Sequence, residues 1–264
     1  MKNILYTVGG ILLLAGIAGG GYYLYRYYSQ SNTDQTIVGN DQQQDDNNQN
    51  TTGTNTTIVR SDFTENFRDG KIDDWWEWNN ANNDQNVMNV DYVKEELSMT
   101  AAASTSQWTS DDTAPTLGFL TDQDFLVEAK YIFDPRVDYQ HGGVGLFDTN
   151  TKEWIRFSRS YDTHALQGQY DIANNLYVME KRIGEGIIKY NHANFLDSVV
   201  YMRMQRKGND VSFSYSRDGV KWEELDHVTK ENLSKEVEVY LFAYSTASTP
   251  AKIVFKNISF SVLD

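Results

Sequence analysis

The stretch Phe125-Leu126-Val127-Glu128-Ala129-Lys130-Tyr131-Ile132-Phe133 decides the fold. Phe125, Val127, Ala129, Tyr131 and Phe133 occupy alternate positions, with Leu126, Glu128, Lys130 and Ile132 between them. Successive side chains of an extended chain point to opposite faces, so this alternation makes one unbroken apolar face. It predicts a β-strand with one side in a core.

The same period recurs on the C-terminal side. Met202 and Met204 alternate with Tyr201, Arg203 and Gln205, and Val211, Phe213 and Tyr215 alternate with Ser212, Ser214 and Ser216. Val237, Val239, Leu241 and Ala243 form an apolar face opposite Glu238, Tyr240, Phe242 and Tyr244. Ile253, Phe255, Ile258, Phe260 and Val262 read as a last long strand whose phase changes near Asn257, the mark of a bulge. Between these runs stand Asp148-Thr149-Asn150, Lys207-Gly208-Asn209-Asp210 and Arg217-Asp218-Gly219, which suit tight turns. Roughly 12 strands are expected, joined by short connections in the antiparallel regime. Residues 58–264 contain no long amphipathic helical pattern, which disfavours a parallel α/β fold.

Upstream the chain changes character twice. Ile4 to Leu24 carries no charge, long enough for a helix to cross a bilayer core. Tyr22, Tyr23, Tyr25, Tyr27 and Tyr28 follow around Arg26, as suits a headgroup interface. Residues 1–28 are therefore expected to be a single transmembrane anchor; a cleaved signal peptide, with small residues at Gly16-Ile17-Ala18, is the competing reading. Residues 29–57 are almost entirely Ser, Asn, Asp, Gln, Thr and Gly, too polar to offset the entropy of ordering, and read as a disordered linker. Asn-x-Ser/Thr triplets at Asn50, Asn55, Asn232 and Asn257 fit display outside the cell.

Composition narrows the chemistry. The chain has 264 residues, 13% of them aromatic, and no cysteine, so disulfides, thiolate metal sites and cysteine nucleophiles are excluded. Its net charge is −14, and all 37 acidic residues lie after the first 33. Such a surface repels phosphate backbones, so no nucleic-acid partner is expected.

Several segments together resemble the concanavalin A-like lectin/glucanase jelly rolls, in particular the laminin-G-like sandwiches attached to β-xylosidases and bacterial surface proteins. They are Phe67-Arg68-Asp69-Gly70 through Trp75-Trp76-Glu77-Trp78, Ala114-Pro115 to Leu120, and Asp124 to Ala129. Asp138-Tyr139-Gln140-His141-Gly142-Gly143-Val144-Gly145-Leu146 and Tyr201-Met202-Arg203-Met204, followed by Tyr215 to Trp222, complete the set. The resemblance implies two curved antiparallel sheets over residues 58–264. It implies no single function, since members include sugar-binding modules, hydrolases and domains without a ligand.

Hydrolytic relatives carry paired glutamates on one strand face. Here Glu95-Glu96 and Glu223-Glu224 are adjacent and would point to opposite faces, and Glu236 and Glu238 share a face without a central Asp. His141, His164, His192 and His227 show no metal spacing. No cofactor is expected; Asp111-Asp112 and the Asp148 turn offer oxygen ligands for a structural calcium, with solvated turn acids as the plainer reading. Sugar rings pack their C–H faces on aromatic rings while polar groups take the hydroxyls. Tyr240, Phe242 and Tyr244 share one strand face, as do Trp154 and Arg156, and Gln140-His141 open a strand that the resemblance places in the concave sheet. The expected ligand-binding set is therefore Gln140, His141, Trp154, Arg156, Arg203, Tyr240 and Tyr244. Trp75, Trp76 and Trp78 are read as packing residues.

The function expected is a non-catalytic carbohydrate-binding or adhesion module, held at the cell membrane by one span and facing a glycan or cell-surface polysaccharide. A structural or protein-interaction ectodomain is the first alternative, and a divergent glycoside hydrolase or lyase the second.

Overall fold

A computed structural model describes residues 57–106, 113–162, 174–182, 184 and 186–264. The expected membrane span and all of the linker except Thr57 lie outside the described residues, as do Asp111, Asp112 and His164. No helix among the described residues is long and apolar enough to cross a membrane. Residues Thr54–Asp264 form one compact unit.

That unit is two packed sheets. The front sheet contains β1 (Ile58–Val59), β3 (Glu77–Asn79), β6 (Thr116–Thr121), β8 (Gln140–Asp148), β9 (Trp154–Tyr161), β10 (Asn174–Arg182), β11 (Gly186–Asn194) and β15 (Val237–Ser245). Its order is β1-β6-β15-β8-β9-β10-β11, with β3 also on β6. The back sheet contains β2 (Phe63–Glu65), β4 (Val87–Asp91), β5 (Glu96–Ala101), β7 (Phe125–Ile132), β12 (Val199–Lys207), β13 (Asp210–Ser216), β14 (Glu223–Thr229) and β16 (Ala251–Val262). Its order is β14-β13-β12-β7-β16-β5-β4, with β2 also on β16. The described strands number 16 rather than the dozen expected, because pairs as short as β1 carry no periodic signal. One pairing departs from the antiparallel expectation: β1 runs parallel to β6, held also by Thr121 Oγ1 donating to the Val59 carbonyl at 2.8 Å.

Alternation does what it predicts. Along β7 every second residue from Phe125 is buried. Val237, Val239, Leu241 and Ala243 face the core from the front, and Met202, Met204, Val211 and Phe213 from the back. Each large apolar side chain removed from water contributes about 1.5–3 kcal/mol. In β16 the pairing with β7 shifts register between Lys256 and Ser259, and Asn257 adopts φ 51°. That extra residue lets Ile253 and Phe255 on one side, and Ile258 and Phe260 on the other, all face inward. Without it one half of the strand would turn its apolar face to water.

Turns close where the sequence places them. Lys207 pairs with Asp210 around Gly208, which sits at φ 57°. The Asp218 carboxylate accepts from the backbone N–H of Val220 and Lys221, both at 2.8 Å, and so fixes the next turn. Trp76 packs edge-on against Phe119 at 4.9 Å, while Trp75 and Trp78 lie against the same core, as packing residues should.

Candidate functional site

Strand register assembles the outer face of the front sheet into rows. Glu238, Phe147 and Trp154 stand opposite one another on β15, β8 and β9; Tyr240, Gly145 and Arg156 form the next row. Phe242, Gly143 and Ser158 come after, then Tyr244, His141 and Ser160. On the other side of β15, Tyr240 is in register with Gly118 of β6, which is in register with Glu77 of β3.

The glycines decide what can meet. Gly145 has no side chain, so Tyr240 and Arg156 reach each other over it, and Arg156 Nε donates to Tyr240 Oη at 2.8 Å. A Cβ on Gly145 would stand 2.6 Å from that same oxygen. Gly118 gives equivalent room to the Glu238 carboxylate, which a Cβ there would overlap. The Arg156 guanidinium also lies over the Trp154 ring, with Cζ 3.7 Å from the centroid, a cation–π contact. Trp154 is 5% exposed, Arg156 2% and Tyr240 4%. Trp154 is therefore not an open stacking platform: Arg156 covers one ring face.

Beside this stack lies a pocket of about 270 Å³ lined by Glu77, Asn79, Thr116, Phe147, Trp154, Arg156, Glu238 and Tyr240. Three of the expected ligand-binding residues, Trp154, Arg156 and Tyr240, meet here. Two carboxylates, an amide and a hydroxyl supply hydrogen-bonding groups beside aromatic surface, the composition of a small polar-ligand site.

The other expected residues are placed elsewhere. Gln140 staples a loop: its amide oxygen accepts from the Arg136 N–H at 3.0 Å, and its amide nitrogen donates to the Pro250 carbonyl at 2.9 Å. His141 is fully buried, stacked on Tyr244 at 4.3 Å, with Nδ1 2.5 Å from the Tyr177 hydroxyl. Burial raises Tyr177 well above the usual tyrosine range, so that hydroxyl keeps its proton. Tyr244 is equally buried. Arg203 lies on the back sheet, paired with Glu128 at 2.7 Å and stacked over Trp222, and the pocket is on the other sheet.

Glu77, Asn79, Thr116, Phe147 and Glu238 line the pocket without having been expected there. Glu238 was legible, since it lies two residues before Tyr240 on the same strand face. Glu77 and Asn79 were not: β3 is three residues long, and its pairing to β6 is set by tertiary structure.

A second carboxylate pair, Glu153 and Glu180, contacts one ammonium, that of Lys230. Arg182 and Tyr190 also bond to Glu180. Burial would raise the Glu180 carboxyl, but Arg182, Tyr190 and Lys230 together outweigh it and hold it below the usual range. A general acid needs the opposite shift; the ion pairs tie the residue before β9, strand β10 and the residue after β14 together as an ionic lock. Asp148 is also fully committed: it accepts from Ser234 N and Oγ at 2.9 and 2.6 Å, and from Asn150 N and Thr151 N at 3.0 and 3.1 Å. Burial pushes its carboxyl up, but those bonds outweigh burial and hold it low. Asp148 thus acts as a turn acid that organises its own loop.

The family model described as the β-xylosidase C-terminal concanavalin A-like domain matches residues 64–256. The chain belongs to that family. No curated protein matches it in sequence. Among solved structures, the GH43 BlXynB protein from Bacillus licheniformis is 12% identical with a TM-score of 0.60, over 76% of this chain. This chain spans 39% of that one. A functionally unknown protein from Saccharomyces cerevisiae is 13% identical with a TM-score of 0.57, over 72% of this chain and 97% of its own. Lectin I-B4 from Griffonia simplicifolia is 11% identical with a TM-score of 0.50, over 78% of this chain and all of its own. These likenesses establish the jelly-roll fold of the family.

Proposed function

We propose that this domain binds carbohydrate without catalysis, through the front-sheet pocket, and that residues 1–57 hold it at the outer side of a cell membrane. The observation that carries the reading is the lining itself. Half-buried Phe147 offers apolar ring surface beside the buried walls of Trp154 and Tyr240, while Glu77, Asn79, Thr116 and Glu238 offer acceptors and donors around it. Sugars present both kinds of surface at once. The volume, somewhat below the roughly 300 Å³ at which drug-sized sites begin, suits one sugar residue rather than a long chain segment. Family membership and the fold shared with a lectin support the reading.

Binding is measured on a glycan array and by titration with the purified full chain. Asn79→Ala removes the pocket amide and Tyr240→Phe the pocket hydroxyl, and each is expected to weaken binding about tenfold, near the cost of one lost hydrogen bond. Arg203→Ala, on the other sheet, is expected to leave affinity within about twofold. If both pocket variants bind as the parent does, or if Arg203→Ala abolishes binding, the site is wrongly placed.

A further inference from the structure

The pocket carries a charge imbalance, and the selectivity drawn from it rests on the carbohydrate reading above. Glu77 is in register with Gly118, the Glu238 carboxylate lies over that same glycine, and both glutamates line the pocket. Arg156 is the one cation among the described lining residues. Its guanidinium sits over Trp154 and its Nε donates to Tyr240. Lys152 Nζ lies 5.8 Å from the Phe147 ring centroid, outside the lining, and the chain as a whole is net −14.

Ionised carboxylates accept hydrogen bonds and donate none. The hydroxyls of an uncharged sugar can donate to Glu77 and Glu238. A sugar carboxylate offers them no proton, adds a third negative charge to the pocket, and must give up its own hydration to enter. Arg156 compensates little, because its most favourable face and one donor are already engaged.

We infer that the pocket takes an uncharged sugar residue and excludes the matching uronic acid, with Glu77 and Glu238 as the specificity-determining residues. Glu238 is held by the strand that also carries Tyr240, so ring contact and charge selection are coupled in one element. Glu77 comes from β3 and is exposed, so it can be altered without disturbing the core.

The test is isothermal titration of the full chain with matched pairs: galactobiose and digalacturonic acid, cellobiose and cellobiouronic acid, xylotriose and glucuronic-acid-branched xylotriose. The uncharged member of the bound pair is expected to bind at least about tenfold tighter at low salt. That ratio shrinks in about 1 M salt, where the screening length is about 3 Å. Glu77→Gln keeps an acceptor and removes the charge; it should shrink the ratio between the uncharged and the acidic member at least about threefold. An acidic member that binds as tightly as its partner overturns the inference while leaving sugar binding intact. So does an unchanged ratio in Glu77→Gln. Failure of every pair to bind removes the carbohydrate reading, and this inference with it.

Discussion

Gly145 and Tyr240 show how a site can be made by leaving an atom out. The Tyr240 ring rests where a Cβ of residue 145 would project, and from there its oxygen receives the Arg156 hydrogen bond. Gly145→Ala therefore forces the ring aside and separates it from Arg156. Overpacking of this kind costs about 1–3 kcal/mol. A drop in thermal midpoint together with loss of sugar binding is expected; an alanine variant that melts and binds like the parent would refute the account. At this scale sequence reasoning was uneven. Trp154, Arg156 and Tyr240 could be grouped because alternation gives the face of each. His141 and Tyr244 obey the same rule yet are buried on that outer face, because alternation reports direction and not depth. Arg203 carried the right chemistry on the wrong sheet, since sequence does not say which layer a strand joins.

Among elements, the lock at Lys230 has the clearest consequence. It joins the turn before β9 through Glu153 and β10 through Glu180, and Glu180 is fully buried. Removing Lys230 leaves buried Glu180 with Arg182 and Tyr190 but short of one charged partner, a change that costs about 1–3 kcal/mol. Lys230→Met is expected to be destabilised by that order in denaturant unfolding at pH 7. The direction of the Glu180 shift sets the pH dependence. Glu180 has a folded pKa below its ordinary value of 4.5, so it contributes stability above that pH and the contribution is lost as pH falls through the folded value. The parent protein should lose stability on acidification below about pH 4.5, and Lys230→Met should lose less across the same window. Equal acid slopes in the two proteins would refute the assignment. The long strands β7, β12, β13, β15 and β16 were legible from period two alone, and so was the bulge at Asn257. The short strands β1 to β3 were not, because two or three residues cannot display a period; their place is dictated by what they cover.

For the whole molecule, the sandwich was legible because one core is filled from both sheets by every second residue. That mutual filling draws the described residues of Thr54–Asp264 into one compact unit. A fragment with those bounds should give a β-rich circular-dichroism spectrum and melt within a few degrees of the full chain. A helical spectrum, or loss of the unfolding transition, would refute that. The asymmetry between the two outer faces was less legible. The back sheet presents Ser212, Ser214 and Gln205 to water in the manner of an ordinary solvated surface, whereas the front sheet buries aromatic and ionic groups on its outer side and keeps a pocket among them.

The empty places at positions 118 and 145 bear on how this fold should be read in other chains. Glycine and alanine codons differ by a single base, so one mutation at either position can fill the recess while the two layers around it persist. The recess is then far easier to lose over generations than the architecture is. Kinship by overall shape says little about whether a relative still recognises anything, and the two small residues at those points are the better place to look.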